Sequence, residues 1–267
     1  MKASRQFVFV KNHLLKLMSN YWLIYLIFVP LGIFFSRPFW EVYEHNALYG
    51  IIDILGLANL FETPTMNVTW WFMSAIILLY IIFPFLMKIA DWSSELLICC
   101  SVGLMLLSAF SSIPYIGKFF IWLTPFVLGM LCAKHNALER IAFHCDSLVK
   151  CIAFSGIAVI LLAFARFIYG GTVDALFGLS IILFTYLLLS RIPFVNIVLE
   201  HLGKHSGAIF MFHTFIFSLY FKDFIYWFKY PPIIFLVLTV ICYVIAIGLE
   251  YLKKLIRYDK LVKKVTQ

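Results

Sequence analysis

The chain has 267 residues, of which 64% are hydrophobic and 13% charged, with 21 Lys and Arg against 13 Asp and Glu. A soluble domain is roughly half apolar and a quarter charged, so this composition excludes a soluble fold and predicts an all-α, polytopic membrane helix bundle. The chain reads as one membrane domain over residues 1–267, with no segment left for a separate soluble domain.

Residues 1–19 carry Lys2, Arg5, Lys11, His13 and Lys16 among Phe7, Phe9, Leu14, Leu15 and Leu17. This interleaving predicts an interfacial helix, its basic side towards lipid phosphates or an anionic ligand, and it is not a signal peptide. A plain topology anchor has the same composition. The membrane bundle covers residues 20–252, starting with a span over 20–36. Ala47 to Phe61 is short, contains Asp53 and is interrupted by small residues, which predicts a re-entrant or interfacial helix on the far side. A second span over 68–88 has Trp70 and Trp71 at one interface and Lys88 at the other, with Pro84 kinking its last turn.

Further spans are expected over 95–112, 119–133, 150–169, 174–190, 206–221 and 231–252, eight in all. Pro125 and Gly129 fall in the fourth, Gly170 and Gly171 turn the chain after the fifth, and Pro231 and Pro232 open the eighth. Residues 253–267 form a basic tail. Arg166, near the end of the fifth span, reads as a residue snorkelling to the interface. Cys99, Cys100, Cys132, Cys145, Cys151 and Cys242 lie in or beside apolar segments without ligand spacing. They read as small core residues, not as disulfides or a metal site.

With the N-terminus in the cytoplasm and sides alternating, 16 of the 21 basic residues fall on the cytoplasmic side. The positive-inside rule then places both termini in the cytoplasm. The net charge of +8 is thereby a topology signal and gives no support to nucleic-acid binding.

The stretch from Leu199 to Tyr220 is the most informative. A polar edge (Glu200, His201, Lys204, His205, Ser206) runs into an apolar helix that carries His213. His213 lies about 12 Å beyond His205, near mid-membrane depth. An ionisable residue there marks a functional site, or else it is a neutral histidine bonded to a neighbouring helix. Ser206 and His213 share one helix face. Lys204 and His205 face the same side as His13 and Lys16, so an anionic cytosolic ligand such as a nucleotide-bearing cofactor fits between the two groups. His201 and His205 have a metal-compatible spacing, but no third ligand stands beside them, and no metal is expected.

Several segments carry a family resemblance. WWFMSAIILLYIIFP (Trp70 to Pro84), TPFVLGMLCAKH (Thr124 to His135) and LGKHSGAIFMFH (Leu202 to His213) resemble, in order and spacing, segments of acyltransferase family 3, integral membrane proteins that acylate bacterial surface glycans. HLLKLMSNYW (His13 to Trp22) is similar to that family's R-x-x-R-L-x-P-x-Y stretch. The resemblance implies transfer of an acyl group, usually acetyl, from cytosolic acyl-CoA to a hydroxyl of a lipid-linked or surface glycan. It places His13 and Lys16 where the family has an arginine pair near the cofactor, with Lys204, Ser206 and His213 at the end of the acyl-transfer cavity. Trp70, Tyr80 and Pro84 would shape the core. The aromatic residues read first as lipid-facing surface and interface belts, with sugar stacking by Trp70 or Trp71 a secondary reading.

Two departures stand out. Lysine at position 16 keeps charge but loses the bidentate fork that suits phosphate. The family's N-terminal helices, with the histidine usually assigned to catalysis, have no counterpart before His13. On that reading the chain is a truncated member or one that works without that histidine, and His213 is its candidate catalytic group. A non-catalytic partner of a glycan-assembly system is the first alternative. A glycan transporter is the second, though no internal repeat supports it.

Overall fold

The computed structural model describes residues 2–35, 37–110, 117–144, 147–189 and 192–258, and among them it is helical without strands. Arg191, Cys145 and the tail beyond Tyr258 lie outside the described residues, as do the readings that fall on them. The chain divides into two compact units, one of Met1–Ile77 with Glu200–Gln267, the other of Leu78–Leu199.

In the first unit, α1 runs unbroken over Lys2–Leu31 and ends in a 3-10 turn at Gly32–Phe35. The separate interfacial helix expected over residues 1–19 is therefore the first half of one long helix. No Gly or Pro interrupts the sequence before Pro30, so nothing breaks the backbone ladder between the two halves. Two short helices follow, α2 (Phe39–Val42) and α3 (Ala47–Ile54), the latter capped by the Asn46 side chain accepting from Leu48 N–H at 2.9 Å.

Helix α3 turns back along α1. The last carbonyls of a helix lack partners within it. Here the Asp53 carbonyl accepts from Tyr21 Oη at 2.5 Å and the Ile54 carbonyl from Trp22 Nε1 at 3.0 Å. Tyr21 and Trp22 lie in the second half of α1, so the end of α3 is fastened to the middle of that helix. Gly56, at φ +73°, closes α3, and its carbonyl accepts from Ser74 Oγ at 2.7 Å.

Helix α4 (Trp71–Trp92) begins after a 3-10 turn at Val68–Trp70, capped by Asn67. Pro84 sits within it, well before the last turn.

The second unit holds the rest of α4 with α5 (Ser94–Phe110), α6 (Gly117–Lys134), α7 (Ala137–Phe143), α8 (Leu148–Tyr169) and α9 (Asp174–Leu189). Lys134 Nζ pairs with Asp91 at 2.9 Å and donates to the Ala90 carbonyl at 2.5 Å, tying the end of α6 to that of α4. Thr124 Oγ1 donates to the Ser101 carbonyl at 3.0 Å between α5 and α6. Arg166 pairs with Asp174 across the 3-10 turn between α8 and α9, so its charge has a partner besides the interface.

Helix α10 (Pro193–Thr214) starts in the second unit and enters the first, which is completed by a π-helix at Phe215–Tyr220, α11 (Lys222–Tyr226) and α12 (Pro231–Leu255). The segment expected to start at residue 206 is therefore the end of a longer helix, which runs through the polar stretch 200–206 without a break. Buried Tyr21, Tyr25, Phe28, Trp70, Phe212, Phe215 and Tyr220 dominate the core of the first unit.

Four stretches are long and apolar enough to cross a membrane: Val8–Phe35, Val68–Trp92, Leu148–Leu189 and Pro231–Leu255. Ser94–Ser108 and Phe119–Lys134 are apolar but shorter, and the 42-residue stretch contains both α8 and α9. The protein is thus a multi-pass membrane protein, with four qualifying stretches among the described residues where eight spans are expected from sequence. The shortfall lies in short α5 and α6, in α10 with its central polar cluster at residues 200–206, and in two helices that run together.

The cysteines also differ from expectation. Only Cys242, among the free thiols described, is buried; Cys99 and Cys100 are exposed on α5, and Cys151 is disulfide-bonded. A small thiol suits an outward helix face as readily as a core, because membrane lipid is as apolar as the interior. Cys151 lies in the first turn of α8, a helix edge rather than an apolar interior.

Candidate functional site

The first unit contains a polar assembly built around Asp53, which is 1% exposed. Oδ2 accepts from Tyr43 Oη at 2.6 Å and from Met66 N–H at 3.0 Å, while Oδ1 accepts from Thr65 Oγ1 at 2.9 Å. Tyr25 Oη lies 2.9 Å from Tyr43 Oη. Burial pushes the Asp53 carboxyl above the usual carboxylate range, although Tyr43, Met66, Thr65 and Tyr21 oppose the shift by hydrogen bonding. Burial, reinforced by the Asp53 charge, also raises the Tyr43 phenol.

This assembly fixes residues 65–67, and they in turn hold α10. Asn67 Oδ1 accepts from Thr69 N–H at 3.0 Å and from Thr69 Oγ1 at 2.8 Å. Asn67 Nδ2 donates to the Met211 carbonyl at 3.2 Å, and Trp70 Nε1 donates to the same carbonyl at 2.9 Å. Met211 stands four residues before Phe215, where the α-helix gives way to the π-helix. The ladder changes register there, and side-chain donors supplement it.

His213 follows within the same turn. Its Nδ1 lies 2.8 Å from the Phe210 carbonyl and 3.2 Å from the Ile209 carbonyl. A carbonyl only accepts, so Nδ1 carries the proton and neutral His213 has its lone pair on Nε2. Among the described residues no hydrogen-bond partner meets Nε2. The bonds run to the residue's own helix, not to a neighbouring one. The half-buried ring stacks on Phe217, with centroids 5.6 Å apart, and lies against Phe210 at 5.7 Å. Phe210 also meets Trp71 at 6.5 Å and Phe72 at 5.1 Å, so an aromatic wall surrounds a histidine with an open acceptor nitrogen.

The two tryptophans therefore part company. Trp71 is half-buried and joins the wall beside His213. Trp70 does not mark an interface: it is buried, stacked on Tyr25 at 5.4 Å and edge-on to Tyr21 at 4.8 Å, with its N–H committed to Met211. Tyr80 lies half-buried in the second unit.

The helices that carry the cationic candidates meet at one end of the first unit. Lys253 bonds Asn20 of α1, and Tyr258 Oη donates to the Ser19 carbonyl at 2.9 Å. His205 Nδ1 lies 3.6 Å from Glu250 of α12. The last turns of α12 thus bind both α1, which carries His13 and Lys16, and α10, which carries Lys204 and Ser206. His13 and Lys16 are exposed, and His13 Nδ1 lies 2.8 Å from the Phe9 carbonyl. Lys204 pairs with Glu200 at 2.9 Å, holding that carboxyl below its usual range. Ser206 donates to the Gly203 carbonyl at 2.8 Å.

Asn67, Thr65, Tyr43 and Tyr25 carry no sequence signal that marks them for this assembly. Asp53 alone is visible, as an acid in an apolar segment. Its partners come from residues 10 to 13 positions away and from α1, which no local pattern reveals.

The family model of acyltransferase family 3, described as an acyltransferase domain, matches residues 6–251. No curated protein and no solved structure matches the chain.

Proposed function

The chain belongs to acyltransferase family 3, and from that premise we propose that it moves an acyl group, acetyl in the first instance, from cytosolic acyl-CoA to a hydroxyl of a cell-surface or lipid-linked glycan. The observation that carries this reading is the His213 ring, whose Nδ1–H is held by two carbonyls while Nε2 is an open acceptor. In the proposed reaction Nε2 takes the proton of the acceptor hydroxyl. The hydroxyl oxygen attacks the thioester carbonyl, the new C–O bond forms, the C–S bond breaks, and the proton passes to the departing thiolate. The carbonyls of Ile209 and Phe210 stabilise the transient imidazolium through Nδ1.

The donor's phosphates are assigned to the cationic end, with His13, Lys16, Lys204 and Ser206 as its contacts. Attraction of a polyanion to clustered Lys and His supports this, as does the common attachment of α1 and α10 to α12. His213 lies about 12 Å along α10 from His205, a separation that an extended pantetheine arm spans. Trp71 and Phe210 wall the path on which the acceptor would lie. The enzyme is assigned to the bacterial inner membrane from its family, with both termini cytoplasmic on the strength of the basic-residue bias.

The test is complementation. The gene is deleted in its source, the 267-residue chain is restored, and O-acyl groups on surface glycans are measured beside a His213→Ala variant. Restoration by the chain and loss in the variant support the reading. A chain that inserts stably and restores nothing, or a variant that restores as well as the parent, overturns the assignment of catalysis to this chain or to His213 respectively.

A further inference from the structure

Arg37 follows the 3-10 turn that ends α1. Its main-chain N–H donates to the Gly32 carbonyl at 2.8 Å, and a Cβ on Gly32 would collide with the Arg37 carbonyl. Glycine at 32 therefore permits the turn that presents Arg37. The turn is braced from the side, because Phe35 stacks on Tyr220 at 4.5 Å and Tyr220 Oη donates to the Phe28 carbonyl at 2.7 Å. A guanidinium has five N–H donors. That of Arg37 makes one long contact, from Nη2 to the Thr65 carbonyl at 3.5 Å, and its Nε is shielded from solvent with no partner. No carboxylate pairs with it among the described residues.

A cation stripped of water on one side and left without a counter-charge is costly, and the planar Nε/Nη edge matches two oxygens of a phosphate or carboxylate. Asn20, at the cationic end, and Leu31, where α1 gives way to the Arg37 turn, are separated by about 16 Å along α1. Tyr220, which braces the Arg37 turn, lies at the far end of the π-helix beyond His213, whereas His205 lies about 12 Å before His213 along α10. The His213 level thus falls between two poles that favour anions.

We infer that Arg37 is the binding group for an oxyanion carried by the acceptor, either the phosphate that links a glycan to lipid or the carboxylate of an acidic sugar. The inference rests on the acyltransferase reading for the identity of the acceptor, but the anion site itself does not depend on transfer. Arg37 binds one oxyanion edge-on and holds the acceptor at the pole opposite the donor, so the glycan hydroxyl approaches His213 from that side.

The test uses the full chain in phosphatidylcholine nanodiscs and titration calorimetry. Farnesyl phosphate and glucuronic acid are the oxyanion probes, with farnesol and glucose as neutral controls. The parent chain binds at least one oxyanion probe about tenfold or more tightly than its control, and the probe that does so identifies the source as lipid phosphate or sugar carboxylate. Arg37→Gln falls to the level of the control, Arg37→Lys keeps part of the affinity, and both bind CoA as the parent does. The inference is overturned if neither oxyanion exceeds its control in the parent, or if a folded Arg37→Gln binds as the parent does. Should Arg37→Gln melt early, Arg37→Lys decides, with undiminished affinity counting against the bidentate site. Arg37-dependent binding without acyl transfer would leave the site standing and remove the acyltransferase reading. Transfer with an unchanged acceptor KM in Arg37→Gln would do the reverse.

Discussion

Trp70 donates its indole N–H to the main-chain carbonyl of Met211 at 2.9 Å, across 141 residues of sequence. With the Asn67 side chain on the same carbonyl, this contact joins the start of α4 to the turn of α10 that presents His213. The acceptor is a backbone group beside a change of helix type, so the contact fixes backbone register as well as side-chain packing.

Trp70→Phe keeps an aromatic ring and removes the N–H. It should cost about 1–3 kcal/mol, the range for losing a bond to a buried carbonyl. Asn67→Ala should cost a similar amount, and the pair should be non-additive because both donors meet one acceptor. Chemical unfolding of the four chains in detergent measures this, and strict additivity would count against the shared role.

His213→Asn retains a short polar side chain but offers no base at the Nε2 position. Acyl transfer should fall by about 10² to 10⁴, the range for losing a general base, with melting little changed. Equal transfer by parent and variant would leave the ring with packing alone.

Asp53 provides a pH signature. Its folded carboxyl titrates above the unfolded value because burial disfavours the charge. Its contribution to stability is therefore fully present below the unfolded pKa, about 4, and is lost as pH rises through the raised folded value. Asp53→Asn removes that dependence while keeping an acceptor for Tyr43. Melting temperatures of parent and variant should lie closest at the acidic end of this window and separate as pH rises. A parent whose pH profile matches that of Asp53→Asn would refute the assignment.

Lys204 and Lys16 should differ in how they respond to their surroundings. Lys16→Gln is expected to raise the KM for acyl-CoA several-fold at low salt, and the effect should shrink as salt screens exposed charges. Glu200→Gln releases Lys204 from its ion pair and should lower that KM instead. Steady-state kinetics at two ionic strengths checks both signs, and a rise in KM for Glu200→Gln would contradict the donor assignment.

Gly32→Ala drives a Cβ into the Arg37 carbonyl and places it 3.3 Å from Tyr220 Oη. The turn must open, at a cost of about 1–3 kcal/mol for overpacking. An unchanged melting temperature would show that the turn adapts without loss.

Composition and hydropathy determined that this is a helical membrane protein, because apolar excess over long stretches admits few other solutions. The local pattern also located α5, α6, α8, α9 and α12 to within a few residues, since each is bounded by Gly, Pro or polar turns. It singled out His213 from depth alone. Tertiary structure decided what those residues touch. The continuity of α1 follows from a ladder that no breaker interrupts, even where the charge pattern changes. The burial of Trp70 depends on a carbonyl of α10 that hydropathy cannot see. The partners of Asp53 come from the end of α2 and the loop before α4, brought together only when α3 turns back along α1. Hydrogen bonds between distant segments leave no periodic trace, so sequence supplied the helices and the histidine, while the three-dimensional arrangement supplied its orientation.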